Sequence, residues 1–135
     1  MKKDIILSGV GGQGILSIAT VIGKAALDAG LSIKQAEVHG MSQRGGDVQS
    51  NLRIASGEIA SDLIARGAAD IIISLEPMEA LRYLHFLKKD GVVIVNDWRI
   101  DPITVVTGVA QYPEGIIDRL KAVSYTHLRA HETRH

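Results

Sequence analysis

At 135 residues, with 46% hydrophobic and 22% charged, the chain has the size and composition of one globular domain rather than of a disordered segment. Fifteen basic residues against fifteen acidic ones leave a formal net charge of zero, which offers no overall attraction to nucleic acid or an anionic membrane. The absence of cysteine excludes disulfides and thiolate-bound zinc and removes the usual ligands of an iron-sulfur cluster, so any redox centre that this protein serves sits elsewhere.

Only residues 5–8 are available between Asp4 and the first glycines, too few for a leader or a membrane span, and a cytoplasmic protein is expected. Residues 4–8 read as a short buried strand running into Gly9-Val10-Gly11-Gly12-Gln13-Gly14. A helix follows over 14–29: Ile15, Leu16, Ile18, Ala19, Val21, Ile22, Ala25 and Ala26 spread over a wide apolar arc, and Lys24 and Asp28 mark the wet side. Gly30 suits its C-terminal stop. Residues 31–38 form a second strand that delivers Glu37, Val38 and then His39. Over 47–55, Val48, Leu52 and Ile54 alternate with Gln49, Asn51 and Arg53, predicting a half-buried strand with one polar face. Ser56-Gly57 reads as a tight turn into 58–61, a small hairpin inserted in the α/β pattern.

The almost wholly apolar run 71–75 has the character of a central parallel strand covered on both faces. Glu76-Pro77 opens a helix expected to reach about Lys89, since proline at the first helical position lacks an N–H that needs no intrahelical partner there. Asp90-Gly91 turns the chain into a buried strand at 92–95, and a less regular stretch around Val105, Val106 and Val109 precedes a short helix over 113–122. This order predicts an α/β, Rossmann-like domain: a mostly parallel sheet with an inserted β-hairpin, flanked by helices.

Two glycine-rich loops carry the chemistry. Gly9, Gly11 and Gly14 match G-x-G-x-x-G between a strand and a helix, where orphan N–H groups and the helix dipole favour an anion. Glu37 stands where a ribose-binding acid would, so a stand-alone NAD(P)- or flavin-binding domain is one reading. The alternative is that the glycines only permit a tight turn and close helix-to-strand packing. In the second loop, His39-Gly40-Met41-Ser42-Gln43-Arg44-Gly45-Gly46, the glycines allow an anion-binding concavity and Arg44 offers a fork for phosphate or carboxylate. His39 could exchange a proton near neutral pH and Ser42 could donate a hydrogen bond. Against this stand a structural histidine and an arginine paired with an acid at an interface; no nucleophile triad or metal-ligand spacing makes the loop catalytic alone.

GVGGQGIL at 9–16, EVHGMSQRGGDV at 37–48 and SLEPMEALR at 74–82 together closely resemble the gamma-type domain of 2-oxoacid:ferredoxin oxidoreductases. The resemblance covers residues 1–122 and lies nearest the branch acting on aryl 2-oxoacids such as indolepyruvate, with pyruvate/ketoisovalerate-type gamma subunits as the alternative. It implies a subunit, inactive alone, of a complex that oxidatively decarboxylates the 2-oxoacid to an acyl-CoA and passes electrons to ferredoxin. Thiamine diphosphate and the iron-sulfur clusters would belong to a large alpha subunit, with coenzyme A as co-substrate and no cofactor or metal held by this chain alone. Gly9, Gly11, Gly12, Gln13, Gly14, Gly45 and Gly46 would then present backbone amides, and His39, Ser42 and Arg44 would contribute side chains, toward the large subunit, the substrate carboxylate or a coenzyme A phosphate. The family continues past the point matching Ala122, which implies that the final part of the domain is absent.

Residues 123–135 hold three of the five histidines and no apolar periodicity, and they resemble translated sequencing adapter; they are set apart as a non-native tail. A frayed native terminus, or metal binding by His127, His131 and His135 at four-residue spacing, are the other readings.

Overall fold

The computed structural model describes residues 1–10, 14–39, 47–96 and 126–130. Six strands form one sheet in the order β2-β3-β1-β4-β5-β6, with β1 at Lys2–Val10, β2 at Ser32–His39, β3 at Asp47–Ala55, β4 at Ala69–Ser74, β5 at Leu87–Asn96 and β6 at Thr126–Ala130. From β1 outward through β4, β5 and β6 every pairing is parallel, whereas β3 runs antiparallel to both β1 and β2. The mostly parallel α/β sheet expected from the alternating elements is therefore present, with helix α1 (Ile15–Asp28) on one face and α2 (Pro77–Arg82) on the other.

Strand alternation divides the core. Ile5, Leu7, Leu52 and Ile54 pack with Ile15, Ala19 and Ala26 of α1. Ile6, Ile72, Val93 and Val95 point the other way, onto Ala80 and Tyr83. The apolar runs of β1, β4 and β5 thus supply both faces, as a parallel sheet requires. Gly30, at φ 79°, ends α1 as expected: its N–H donates to the Leu27 carbonyl, and Leu31 N–H reaches back to Ala26.

The hairpin lies elsewhere than expected. Residues 58–61 form no strand, and the antiparallel pair is β2 with β3, which wedges between β2 and β1. The polar face of β3 explains what 58–61 do instead. Arg53 Nη1 donates to the carbonyls of Ser61 (3.0 Å) and Leu63 (3.4 Å), and Asn51 Oδ1 accepts from Ile64 N–H at 3.2 Å. The segment after β3 folds over that face and finds side-chain partners for backbone groups that a ladder would otherwise satisfy. Asn51 is consequently buried rather than wet, and Gln49, opposite Ser8 near the start of β3, is buried as well.

The second helix is shorter than the reach to Lys89. It stops at Arg82, a 3-10 turn covers Leu84–Phe86, and Leu87 already belongs to β5. Pairing jumps from Leu87 opposite Ala69 to Val92 opposite Ile71, so Asp90-Gly91 makes an irregularity inside a strand, with Asp90 at φ 67°, rather than a turn between helix and strand. Asp70 holds this stretch: its carboxylate takes an ion pair from Lys88 and a 2.8 Å hydrogen bond from Asp4 N–H. The stretch around Val105, Val106 and Val109 and the helix expected over 113–122 lie outside the described residues. Within the segment set apart above, Thr126–Ala130 pairs in parallel with Val92–Asn96.

Burial alone would raise the Asp70 carboxyl, but the bonds from Lys88 and Asp4 and the nearby Lys88 and Lys3 charges outweigh it and hold the group below the ordinary aspartate range. A depressed native value stabilises the fold above the unfolded-chain value of about 3.9 and loses that contribution as pH falls through the native value. Acid unfolding followed by circular dichroism should therefore show Asp70→Asn destabilised at pH 7 and converging on the parent below about pH 4. A constant gap down to the lowest pH would remove the ionised Asp70 as its source.

Candidate functional site

The described stems of both glycine loops lie at one edge of the sheet, where the strands end. Gly9 lies opposite Val48, and Val48 lies opposite His39, so the ends of β1 and β2 and the start of β3 share one row. The chain leaves β1 at Val10 and enters α1 after Gly14; it leaves β2 at His39 and returns at Asp47. Gly14 sits at φ 88°, a left-handed conformation that glycine adopts without a Cβ penalty, and its carbonyl accepts the Ile18 N–H at 3.1 Å as the helix begins. Of the expected site residues, Gly9, Gly14 and the His39 backbone are placed on this edge. Gly11, Gly12, Gln13, Ser42, Arg44, Gly45 and Gly46 lie outside the described residues. The stems of the two loops are thus brought together.

This edge is also where the sheet changes direction. The chain from β1 passes to α1 on one face, and from β4 to α2 on the other, so the carboxyl ends of β1 and β4 flank the crevice at which open α/β sheets bind their ligands. Its floor is polar and buried. Ser8 Oγ donates to Ser74 Oγ at 3.0 Å, Ser74 Oγ donates to the Glu76 carbonyl at 2.7 Å, and Leu75 N–H donates to the Ser8 carbonyl at 3.0 Å. Gln49, opposite Ser8 in register, is buried beside them.

Two buried carboxylates frame the start of α2. Glu76 is its N-cap, with Oε2 accepting the Glu79 N–H at 3.1 Å, and Glu79 Oε2 accepts from Arg82 Nε at 3.1 Å. Pro77 occupies the first turn as expected. Ser8, Ser74, Glu76 and Glu79 are not among the site residues expected from the sequence. The signal for the carboxylates was nonetheless present: Glu76-Pro77-x-Glu79 places an acid at the cap and another three residues on, the spacing at which helix-start side chains serve each other's backbone.

The dinucleotide reading of Glu37 does not survive the topology. That fold sets its ribose-binding acid on the strand beside β1. Here Glu37 pairs with Ser50 and Ser50 with Leu7, so a whole strand intervenes and Glu37 stands about 10 Å from β1, two strand spacings away. Among the described residues, no three His, Cys, Asp or Glu side chains group as metal ligands, and no helix is long and apolar enough to cross a membrane. A cleft of about 280 Å³ lined by Lys2, Asp4, Arg53 and Glu58 among others opens at the opposite edge, away from both loop stems. Its principal charges pair with each other, Asp4 with Arg53 at 3.0 Å and with Lys2 at 3.2 Å.

A doubly wound sheet with an antiparallel wedge, the stems of two glycine-rich loops at one end of its strands and a buried polar floor defines an α/β domain of Rossmann-like class. Comparison with known proteins gives that class a family. The sequence model described as "Pyruvate ferredoxin/flavodoxin oxidoreductase" matches residues 4–130, and the chain belongs to that family. It is 48% identical over 126 residues to indolepyruvate oxidoreductase subunit IorB of Archaeoglobus fulgidus, covering 92% of this chain and 62% of that one. To 2-oxoglutarate synthase subunit KorC of Methanothermobacter marburgensis it is 35% identical over 97 residues, covering 71% of this chain and 51% of that protein. The chain thus spans between about half and three-fifths of these relatives' length. In fold it is similar to pyruvate oxidoreductase subunit PORC of Thermotoga maritima, with a TM-score of 0.61 at 17% identity, covering 93% of this chain and 57% of that one.

Proposed function

We propose that this chain is a subunit of a cytoplasmic oxidoreductase complex that oxidatively decarboxylates an aryl 2-oxoacid, indolepyruvate, to an acyl-CoA with ferredoxin as electron acceptor. The observation that carries the reading is the 48% identity to an indolepyruvate oxidoreductase subunit against 35% to a 2-oxoglutarate synthase subunit. The partner is a large alpha subunit that holds thiamine diphosphate and the iron-sulfur clusters. With no cysteine the chain has no thiolate donors for such a cluster. Thiamine diphosphate, when bound, supplies the carbanion chemistry. This chain's own part is to present the loop edge: the Gly9 to Gly14 and Gly45-Gly46 amides and the His39, Ser42 and Arg44 side chains orient a carboxylate or a coenzyme A phosphate at the subunit junction. The shared row of Gly9, Val48 and His39 at one end of the sheet, with the first loop's stem on β1 beside β4, supports that role.

Co-expression with the large subunit should yield a complex that reduces viologen on indolepyruvate and coenzyme A, faster than on 2-oxoglutarate, while this chain alone turns over neither. Equal rates on the two acids would remove the aryl assignment. In that complex Arg44→Ala should raise the apparent KM for the 2-oxoacid or for coenzyme A by about ten- to a hundredfold, the range of a lost charge-assisted hydrogen bond at about 1.5–3 kcal/mol. Unchanged kinetics together with unchanged assembly would exclude Arg44 from the site.

A further inference from the structure

The cleft at the edge away from the loop stems is built around one buried charge. Asp4 lines it at 1% exposure, and only one of its carboxylate oxygens is well served: Oδ1 accepts from Arg53 Nε at 3.0 Å. Oδ2 is fully buried and has no hydrogen-bond partner among the described residues. Lys2 Nζ stands 3.2 Å from Oδ2, but without an aligned hydrogen bond and on a side chain that is 59% exposed. The strand explains the poor fit. Lys2 and Asp4 are two residues apart on one face of β1, so the ammonium meets the carboxylate from the side.

The rest of the cleft suits a cation with an apolar body. Its volume is about 280 Å³, and Ala55 and Ile59 line it beside the charged groups. Glu58, also in the lining, is exposed, and among the described residues no cation pairs with it. Arg53 is already committed: Nε serves Asp4, and Nη1 serves the Ser61 and Leu63 carbonyls. With Lys2 turned out into water, Asp4 and Glu58 against Arg53 leave the cleft one negative charge, which a monovalent cation balances. A divalent metal ion fits less well, because no three acids group as ligands among the described residues and the Arg53 guanidinium is fixed beside Asp4. A primary ammonium needs fewer oxygens and brings three N–H donors.

We propose that this cleft binds a small primary ammonium compound, an alkyl or single-ring amine. Its N–H groups take Asp4 Oδ2 and the Glu58 carboxylate, and its apolar body lies against Ala55 and Ile59. Lys2 is the tethered ammonium that holds the place and swings out when the amine enters. Its exposed ion pair is weak enough to be displaced, since holding a lysine there costs rotamer freedom. The site lies apart from the loop stems and stands independently of the substrate assignment.

The test is a titration of the intact chain with n-butylammonium chloride at constant ionic strength, followed by amide NMR, with tetramethylammonium chloride and 1-butanol as controls. The expected shifts are confined to amides of 2–4, 53–55 and 57–61 and saturate at about millimolar concentration, with neither control reproducing them. Lys2→Met should tighten the butylammonium binding roughly two- to fivefold, the worth of the exposed pair it displaces, and Glu58→Gln should weaken it by a similar factor. Lys2→Gln repeats the measurement should Lys2→Met not fold. Equal shifts with tetramethylammonium, which has no N–H, would overturn the proposal by reducing the effect to general screening. Binding unchanged or weakened in the folded Lys2 variant would overturn it too, leaving Lys2 and Asp4 an ordinary ion pair. So would competition by magnesium chloride at the same ionic strength, which would make the cleft a metal site.

Discussion

Replacing Arg53 with methionine is expected to cost roughly 3–5 kcal/mol of stability and about 10–20 °C in Tm, the largest effect of any single change proposed for this chain. Arg53 is 18% exposed and Asp4 1% exposed, and their Nε–Oδ1 contact is 3.0 Å. Removing the guanidinium leaves a buried carboxylate whose other oxygen, among the described residues, faces Lys2 Nζ at 3.2 Å without an aligned hydrogen bond, from a side chain that is 59% exposed. An exposed lysine compensates poorly, because it is screened and must be ordered to serve. The same substitution also deprives the Ser61 and Leu63 carbonyls of their donor, so the segment folded over β3 loosens. Two controls separate these causes. Adding Asp4→Asn to Arg53→Met removes the buried charge and should recover a large share of the loss, whereas the loosened segment remains and should show as faster amide exchange at Ile64. A loss below about 1 kcal/mol for the single variant would mean that the pair is effectively solvated, contrary to its burial.

The parts of the fold legible from sequence are those set by neighbours along the chain. The arc of α1 and its stop at Gly30 are local, and so is the change from glycine loop to helix. The apolar runs of β4 and β5 announce burial on both faces, although the second of those faces is only half realised among the described residues. Pairing order was not legible. Alternation along β3 assigns Leu52 to a face, but nothing local says that Leu52 stands between Ile5 and Gln35 rather than at an edge. Polarity misled for a related reason. Asn51 and Arg53 are polar because they bond a covering segment, not because they meet water, and a hydropathy pattern cannot tell the two apart. The stretch after Arg82 kept helical character in sequence until Lys88 met Asp70, a partner from another strand. For the site, the loop motifs carried the family, while the hydroxyl pair beneath them came into view only when β1 and β4 were set side by side.

That pair gives the second large effect. Ser74→Val puts a methyl where the hydroxyl stands and adds a second, leaving the buried Ser8 hydroxyl without the acceptor 3.0 Å away and the Glu76 carbonyl without its 2.7 Å donor. The carbonyl keeps the Ala80 N–H at 3.2 Å, so the main penalty is the stranded hydroxyl, and a cost of about 1–3 kcal/mol is expected. Ser8→Ala, which removes the donor and leaves Ser74 bonded to Glu76, should cost less. The double variant should be more stable than Ser74→Val alone, since replacing both partners of a buried hydrogen bond by apolar groups removes the stranded one. Thermal or urea melts of the four proteins give the coupling directly. Ser8 immediately precedes Gly9, and Ser74 stands two residues before Glu76, so the pair ties the end of β1 to the end of β4 beside the stem of the first glycine loop. If that edge is the docking surface, Ser74→Val should weaken binding to the large subunit by more than its loss of stability accounts for, and the double variant should not restore it fully. Additive costs, with binding unchanged, would make the serines an ordinary buried pair and move the docking surface to the loops alone.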